Sequence, residues 1–379
     1  MKVILGTDPI KFPLTGIGRY TCELAHGLMQ QAEIEELWFL HGRTLQHQLP
    51  RQQESHPFPR GMAMTQRLQK NRLAAELYRL TAPWLKTQVL RKHPDAIYHG
   101  PNFYLPPGVD HCVATFHDLS VFTWPQCHPP ERVRFMQKEL LQTIKRAAVL
   151  ITDSEFTRRE VAQYFNLPLT KVFCASLASS EEFYPRQAAG VSQVIAGYGL
   201  TFNQYCLFTG SVEPRKNIET LLNAYEKLPP ALRLTVPLVI IGFSGWGSEA
   251  LHYRFQHAQA AGWLHYAGYV NAADLPCLFA GARSFLFPSL YEGFGLPVLE
   301  AMASGVPVVC SDSASLPEIV GDCALMCAAK DVEQLSQLIQ RSIEDEAWRE
   351  HASASGLARS RLFSWQRCAQ QTLHAYRQA

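Results

Sequence analysis

The stretch from Phe287 to Pro307 reads Phe-Pro-Ser-Leu-Tyr-Glu-Gly-Phe-Gly-Leu-Pro-Val-Leu-Glu-Ala-Met-Ala-Ser-Gly-Val-Pro, and it constrains the fold more than any other. Ser284 to Phe287 is the end of a buried strand. Gly293 and Gly295 permit a tight turn that side chains would obstruct. Pro297 suits a first helical position, where no N–H partner is lost. A helix is predicted from Val298 to Ala303, stopping near Gly305. Strand, glycine turn and helix in that order are the local unit of an α/β sheet.

A helix start preceded by glycines attracts anions, because free N–H groups and the helix dipole both point at the incoming charge. Glu292 and Glu300 flank this turn with seven residues between them. Touching a phosphate, they would repel it; beside one, they would accept hydrogen bonds from hydroxyls. A phosphate with hydroxyl-rich neighbours on both sides describes a nucleotide sugar. The plainer alternative is that two glutamates near a helix start are dipole partners in an ordinary α/β turn.

Glu-Gly-Phe-Gly-Leu-Pro-x-Leu-Glu-Ala-Met-Ala-x-Gly-x-Pro-Val, from Glu292 to Val308, resembles the Glu-x7-Glu signature of retaining glycosyltransferases of family 4. The match runs on through Ser311 and Leu316-Pro317-Glu318. The resemblance implies a GT-B fold: two doubly wound, Rossmann-like α/β domains facing a cleft, with a C-terminal helix crossing back to the first. It divides the chain into an acceptor-side domain (1–187), a nucleotide-sugar domain (188–361) and a crossover helix (362–379).

The rest of the chain agrees with that size and class. At 379 residues it exceeds one ordinary core. Apolar residues are 47%, charged residues 18% and the net charge +2, which gives no footprint for nucleic acid. Ten cysteines contain no Cys-x-x-Cys pair and read as reduced thiols. The opening Met1-Lys2-Val3-Ile4-Leu5-Gly6 is a strand entering a glycine turn rather than a secretory leader. No run has the roughly 20 apolar residues that span a bilayer. The expectation is a cytoplasmic protein.

Along the first half, Thr15-Gly16-Ile17-Gly18-Arg19-Tyr20 is a second glycine loop opening a helix, without the full nicotinamide fingerprint. The resemblance places Gly16 and Gly18 opposite the donor diphosphate. Residues 60–92 carry Arg60, Arg67, Lys70, Arg72, Arg79, Lys86, Arg91 and Lys92 against the single acid Glu76, with leucines at helical intervals and Trp84. Such a helix suits an anionic membrane surface, and equally an ordinary solvated face. The resemblance favours the membrane, at the inner face of the cytoplasmic membrane, since such enzymes often act on lipid-linked acceptors. Asn102 sits in the loop after a short strand, where open sheets place ligands, and is a candidate acceptor contact. The strand Cys112 to Phe116 ends in His117-Asp118, which matches the family's donor-sugar site; there the histidine hydrogen-bonds the sugar. Glu182-Phe183-Tyr184-Pro185 and the polar Arg186 to Ser192 read as the interdomain linker.

In the second half, a strand runs to Gly210, and Glu213-Pro214-Arg215-Lys216-Asn217 precedes a helix. Two adjacent cations at a strand end can neutralise a diphosphate, and they match the family's cations. Many relatives carry an arginine where this chain has Ser211. The resemblance puts the nucleobase beside Val270. Val306 to Cys310 is read as the last core strand, and Ser315-Leu316-Pro317-Glu318 has the spacing of a capping box. Phe363 to Tyr376 has the period of a helix.

Together these imply transfer of a hexose from a nucleoside diphosphate sugar to a hydroxyl, with retention. His117, Glu292, Arg215 and Lys216 are the catalytic candidates. Asp118, Gly210, Glu300 and the backbone N–H groups of Phe294, Gly295 and Leu296 join the donor site. No cofactor or metal is expected, because no aspartate pair is spaced to hold one. The Gly6-Thr7-Asp8 and Leu14 to Tyr20 runs are similar to mannosyl- and rhamnosyltransferases of O-antigen assembly, which favours a GDP-linked donor and a glycan or polyprenyl-diphosphate-linked acceptor. A sugar-nucleotide epimerase of the same fold and a non-catalytic nucleotide-sugar-binding protein are the alternatives.

Overall fold

The computed structural model describes residues 1–12, 14–50, 83–243, 245 and 249–379. Two sheets carry it. The first has the order β3-β2-β1-β4-β5-β6-β7. Its strands are β1 (Lys2–Gly6), β2 (Glu36–His41), β3 (Thr44–Gln46), β4 (Ala96–Gly100), β5 (Cys112–Phe116), β6 (Val149–Thr152) and β7 (Val172–Cys174). All pairs are parallel except the β2–β3 hairpin. The second sheet is parallel throughout, in the order β10-β9-β8-β11-β12-β13. It comprises β8 (Cys206–Thr209), β9 (Leu238–Ile241), β10 (Leu264–Gly268), β11 (Ser284–Phe287), β12 (Val308–Ser311) and β13 (Leu325–Cys327). Runs such as Leu-Val-Ile-Ile in β9 and Ser-Phe-Leu-Phe in β11 are buried along their whole length. That is the pattern of strands covered by helices on both faces.

Strand order reverses beside β1 in the first sheet and beside β8 in the second. Loops leaving β1 and β4, and those leaving β8 and β11, therefore diverge to opposite faces and leave a crevice at the strands' carboxyl ends. Every predicted site residue except Glu300, one turn into the Leu296–Ala303 helix, lies on a loop or helix start that follows such an end.

The last helix, Trp365–Tyr376, packs against the Gly16–Met29 helix and against β6 and β7 of the first sheet. Ala369, Leu373 and Tyr376 form its buried face, as their spacing predicts. Approach is close: a Cβ on Gly27 would lie 2.9 Å from Ala369 Cβ.

Two expectations need correction. The stretch read as linker is helical from Ala188, because Val191 and Ile195 pack inward while Ser192 and Gln193 face out. Val306 to Cys310 is not the last strand: β12 begins at Val308, and β13, only three residues long, pairs beyond it. In the basic segment, 60–82 lies outside the described residues, and 83–90 is helical with Trp84 exposed. Lys86 turns inward to pair with Asp8 instead of facing a surface. Among the described residues no helix is long and apolar enough to cross a membrane.

Candidate active site at the domain boundary

After β11 the chain makes the predicted turn. Gly295 is left-handed, φ +105°, and starts the Leu296–Ala303 helix with Pro297 in its first turn. Gly293 is required by proximity: a Cβ there would lie 1.8 Å from the backbone oxygen of His117, on the first domain. The hydroxyl of Ser315 is shared between the carbonyls of Glu292 and Phe294, at 2.9 and 2.8 Å. Backbone bonding into the helix begins at Val298 N, which donates to Gly295 O. Among the described residues the N–H groups of Phe294, Gly295 and Leu296 find no acceptor.

The loop after β8 is fastened to this turn. Asn217 donates to Pro288 O at 2.9 Å, and Leu290 N donates to Arg215 O at 2.8 Å. This brings Lys216 Nζ to 2.6 Å from one oxygen of Glu292 and Arg215 Nη1 to 3.0 Å from the other. Arg215 Nη2 also donates to buried Glu213 at 2.9 Å. Burial alone would raise the Glu292 carboxyl, but the Lys216 ammonium and the Arg215 guanidinium override it and hold it at about 2. The two cations are thus matched by two carboxylates, and the cluster is closer to neutral than the sequence suggested. Even so, Arg215 Nε is buried with no partner among the described residues. An orphaned guanidinium donor in a crevice suits an anionic oxygen.

Glu300, one helix turn further, is almost wholly buried and meets Arg19 Nη1 at 3.3 Å across the cleft. Burial raises its carboxyl to about 7 against the pull of Arg19. The sign follows: a carboxyl whose folded pKa lies above its ordinary 4.5 stabilises the fold least once pH exceeds about 7. We therefore expect Glu300→Gln to gain stability on the parent between pH 5 and pH 8, by roughly 2–3 kcal/mol. Denaturant unfolding of both proteins at the two pH values measures this.

Of the first glycine loop, Gly18 is sterically required, since a Cβ would come 2.8 Å from Pro9 O, whereas Gly16 has open space. Thr15 caps the helix by accepting from Gly18 N at 3.2 Å. His117 is fully engaged by protein: Nδ1 to Asp153 Oδ2 at 2.7 Å and Nε2 to Pro101 O at 2.8 Å. A carboxylate and a carbonyl both accept, so the ring is drawn toward imidazolium. Burial opposes this, but Asp153 prevails and the pKa is raised. The implied sugar contact would need one of these partners to give way. Asp118 accepts from Ser120 N and Oγ at 2.9 and 2.7 Å, which shapes the loop after β5. Asn102 follows Pro101 at the end of β4, and its carbonyl accepts from Tyr104 N. Gly210 follows β8, with Gly242 pressed on its carbonyl; a Cβ on Gly242 would lie 1.8 Å from Gly210 O. Val270 is buried just beyond β10.

The capping-box reading of 315–318 is overturned. Ser315 makes no cap bond, because its hydroxyl reaches back to the signature turn. Glu318 crosses to the other domain and accepts from Glu155 N and Phe156 N, both at 2.9 Å. Arg19, Asp153, Glu213, Tyr291 and Glu318 are site residues that sequence reasoning missed. Arg19, Glu213, Tyr291 and Glu318 lie inside the motifs already quoted without having been singled out there; Asp153 carried no local signal.

The family model for glycosyl transferases group 1 matches residues 202–359. The O-antigen chain mannosyltransferase B of Escherichia coli is 45% identical over 380 aligned residues, covering 100% of both chains. A sucrose-phosphate synthase from Thermosynechococcus elongatus has a similar structure, with TM-score 0.67 at 22% identity, covering 100% of this chain and 98% of that one. WaaG, a glycosyltransferase involved in lipopolysaccharide biosynthesis, gives TM-score 0.70 at 15% identity over 98% of each chain. The two structural likenesses speak to the fold alone, and the paired sheets are the GT-B arrangement that the signature implied.

Proposed function

The chain belongs to the group 1 glycosyl transferases, and from that premise we propose that it moves a mannosyl residue from GDP-mannose to a hydroxyl of a growing O-antigen glycan. Full-length identity of 45% to an O-antigen chain mannosyltransferase supports the sugar and the acceptor class. The observation that carries the chemistry is the turn at 292–296, where Arg215, Lys216 and Glu292 meet beside N–H groups that find no acceptor among the described residues. A diphosphate docked there would take the orphaned Arg215 donor, Lys216 and the Phe294, Gly295 and Leu296 N–H groups as its partners. Glu292 would border the sugar and Glu300 the ribose.

In the proposed reaction the acceptor hydroxyl oxygen attacks the anomeric carbon on the face from which the diphosphate departs. The bond from that carbon to the phosphate oxygen breaks, and its electron pair stays with GDP. The hydroxyl proton passes to the leaving phosphate oxygen, and configuration is retained. Arg215, Lys216 and the backbone dipoles supply the positive charge that the diphosphate needs, so no divalent cation is required. Asp153 and Pro101 fix His117 in the cleft wall. If the acceptor is polyprenyl-linked, segment 60–92 with its exposed Trp84 is the part of the chain suited to an anionic membrane.

The test is transfer to an acceptor glycan from GDP-mannose, GDP-rhamnose, UDP-glucose and ADP-glucose in chelator, with the product's anomeric configuration read by NMR. The reading predicts transfer from GDP-mannose with retention. Inversion, a trapped glycosyl-enzyme adduct, or activity confined to another donor contradicts it.

A further inference from the structure

The amino end of the Glu155–Tyr164 helix lies on the first domain, yet the second domain satisfies much of it. Glu155 N and Phe156 N donate to the two carboxylate oxygens of Glu318 at 2.9 Å each. Ser154 Oγ and Thr157 Oγ1 donate to Gly293 O at 2.6 and 3.0 Å. Further along the helix, Glu160 accepts from the Tyr291 hydroxyl, whose oxygen also accepts from Leu119 N.

Glu318 is itself anchored in its own domain. Arg359 Nη2 donates to Glu318 O at 2.6 Å, and Arg359 Nε donates to Ile319 O at 3.1 Å. Three residues earlier, Ser315 holds the carbonyls of Glu292 and Phe294. These bonds form a closed ring: Glu318 to the helix end, the helix-end hydroxyls to Gly293, the turn to Ser315, and the chain back to Glu318. The turn is thereby gripped from both domains: the Gly293 carbonyl from the first, and the Glu292 and Phe294 carbonyls on either side of it from the second. A carboxylate at a helix amino end is also favoured by the dipole. None of the cross-boundary bonds survives separation of the sheets.

We infer that Glu318 is a positioning residue that couples closure of the two domains to the orientation of the anion-binding turn. It touches neither donor nor acceptor. It docks the Glu155–Tyr164 helix, and that helix aims the N–H groups of Phe294, Gly295 and Leu296. The inference rests on the proposed transferase reading for its kinetic arm, while its structural arm stands alone.

The informative variant is Glu318→Gln. The amide keeps the volume but offers one accepting oxygen and turns N–H groups toward the other donor. GDP is the binding probe, and GDP-mannose the substrate. Displacing a reacting group by about 1 Å can cost on the order of a hundredfold in rate. We expect kcat to fall at least about tenfold and GDP affinity, which the same N–H groups serve, to fall by less than kcat, with Tm changed by no more than a few degrees. X-ray scattering should show the variant more open than the parent. Glu318→Ala should repeat the pattern more strongly. Unchanged kcat and scattering would overturn the inference. So would a fall in GDP affinity equal to that in kcat with a marked loss of Tm, which a merely structural residue produces. If the parent proves inactive on GDP-mannose, the proposed donor fails, and the scattering contrast between parent and variant still decides the role of Glu318.

Discussion

Gly293→Ala is expected to leave a folded chain whose kcat/KM has dropped by about two to three orders of magnitude. The new Cβ would sit 1.8 Å from His117 O and 3.0 Å from Asp118 Cβ. Both obstacles belong to the opposite domain, and one is backbone, so no side-chain rotation relieves the clash. The cheapest relief is to part the domains. This breaks the bonds from Ser154 and Thr157 to Gly293 O and moves the turn away from the cleft wall. Because the clash leaves the strand pairing within each sheet intact, Tm should fall little compared with activity. Steady-state kinetics beside a melting curve separates the two. Equal activity in parent and variant would mean that the closed arrangement is not the working one.

The second large effect is expected of Lys216→Met. It removes the charge, and with it the ammonium that lies 5.0 Å from the Phe287 ring centroid, but keeps most of the stem. Loss of one preorganised partner of a developing negative charge lowers kcat by ~10²–10³. Breaking a buried pair costs ~3–5 kcal/mol where nothing replaces the lost member. Arg215 Nη1 still holds the other Glu292 oxygen at 3.0 Å, so the loss should fall at or below the lower end of that range. The pH dependence has a definite sign. With its pKa held at about 2, Glu292 contributes stability that is complete above 4.5 and lost as pH falls toward 2. Without Lys216 the carboxyl rises, and the acid edge of the stability profile moves to higher pH. Denaturation midpoints at pH 3 to 7 measure the displacement.

What the sequence made legible was local. Gly293, Gly295 and Pro297 specify strand, turn and helix within a dozen residues, and the structure has that order. The strands read at Cys112 to Phe116, before Gly210 and at Ser284 to Phe287 are strands of the two sheets, and the period of Phe363 to Tyr376 announced a final helix. The misreadings arose where one local pattern serves two ends. Serine and glutamate three apart look alike whether they cap their own helix or reach elsewhere. Here Ser315 is itself helical, φ −78° and ψ −12°, so its hydroxyl is free for the turn behind it. The remaining partners are distant along the chain. Arg19 and Glu300 are 281 residues apart, and His117 and Asp153 are 36 apart. Only the fold brings such pairs together. Of the two glycines in the first loop, sequence alone could not tell that Gly18 faces Pro9 O while Gly16 faces open space.

Calorimetric titration of GDP in excess chelator, into the parent and into Arg215→Ala, tests the central claim most directly. The account predicts that the parent binds GDP without metal, that added magnesium changes the affinity by less than about twofold, and that Arg215→Ala weakens binding at least about tenfold, since a charge-assisted partner of the diphosphate is gone. Binding that requires a divalent cation, or that is equally tight in Arg215→Ala, would contradict a donor site built from Arg215, Lys216 and the turn at 292–296.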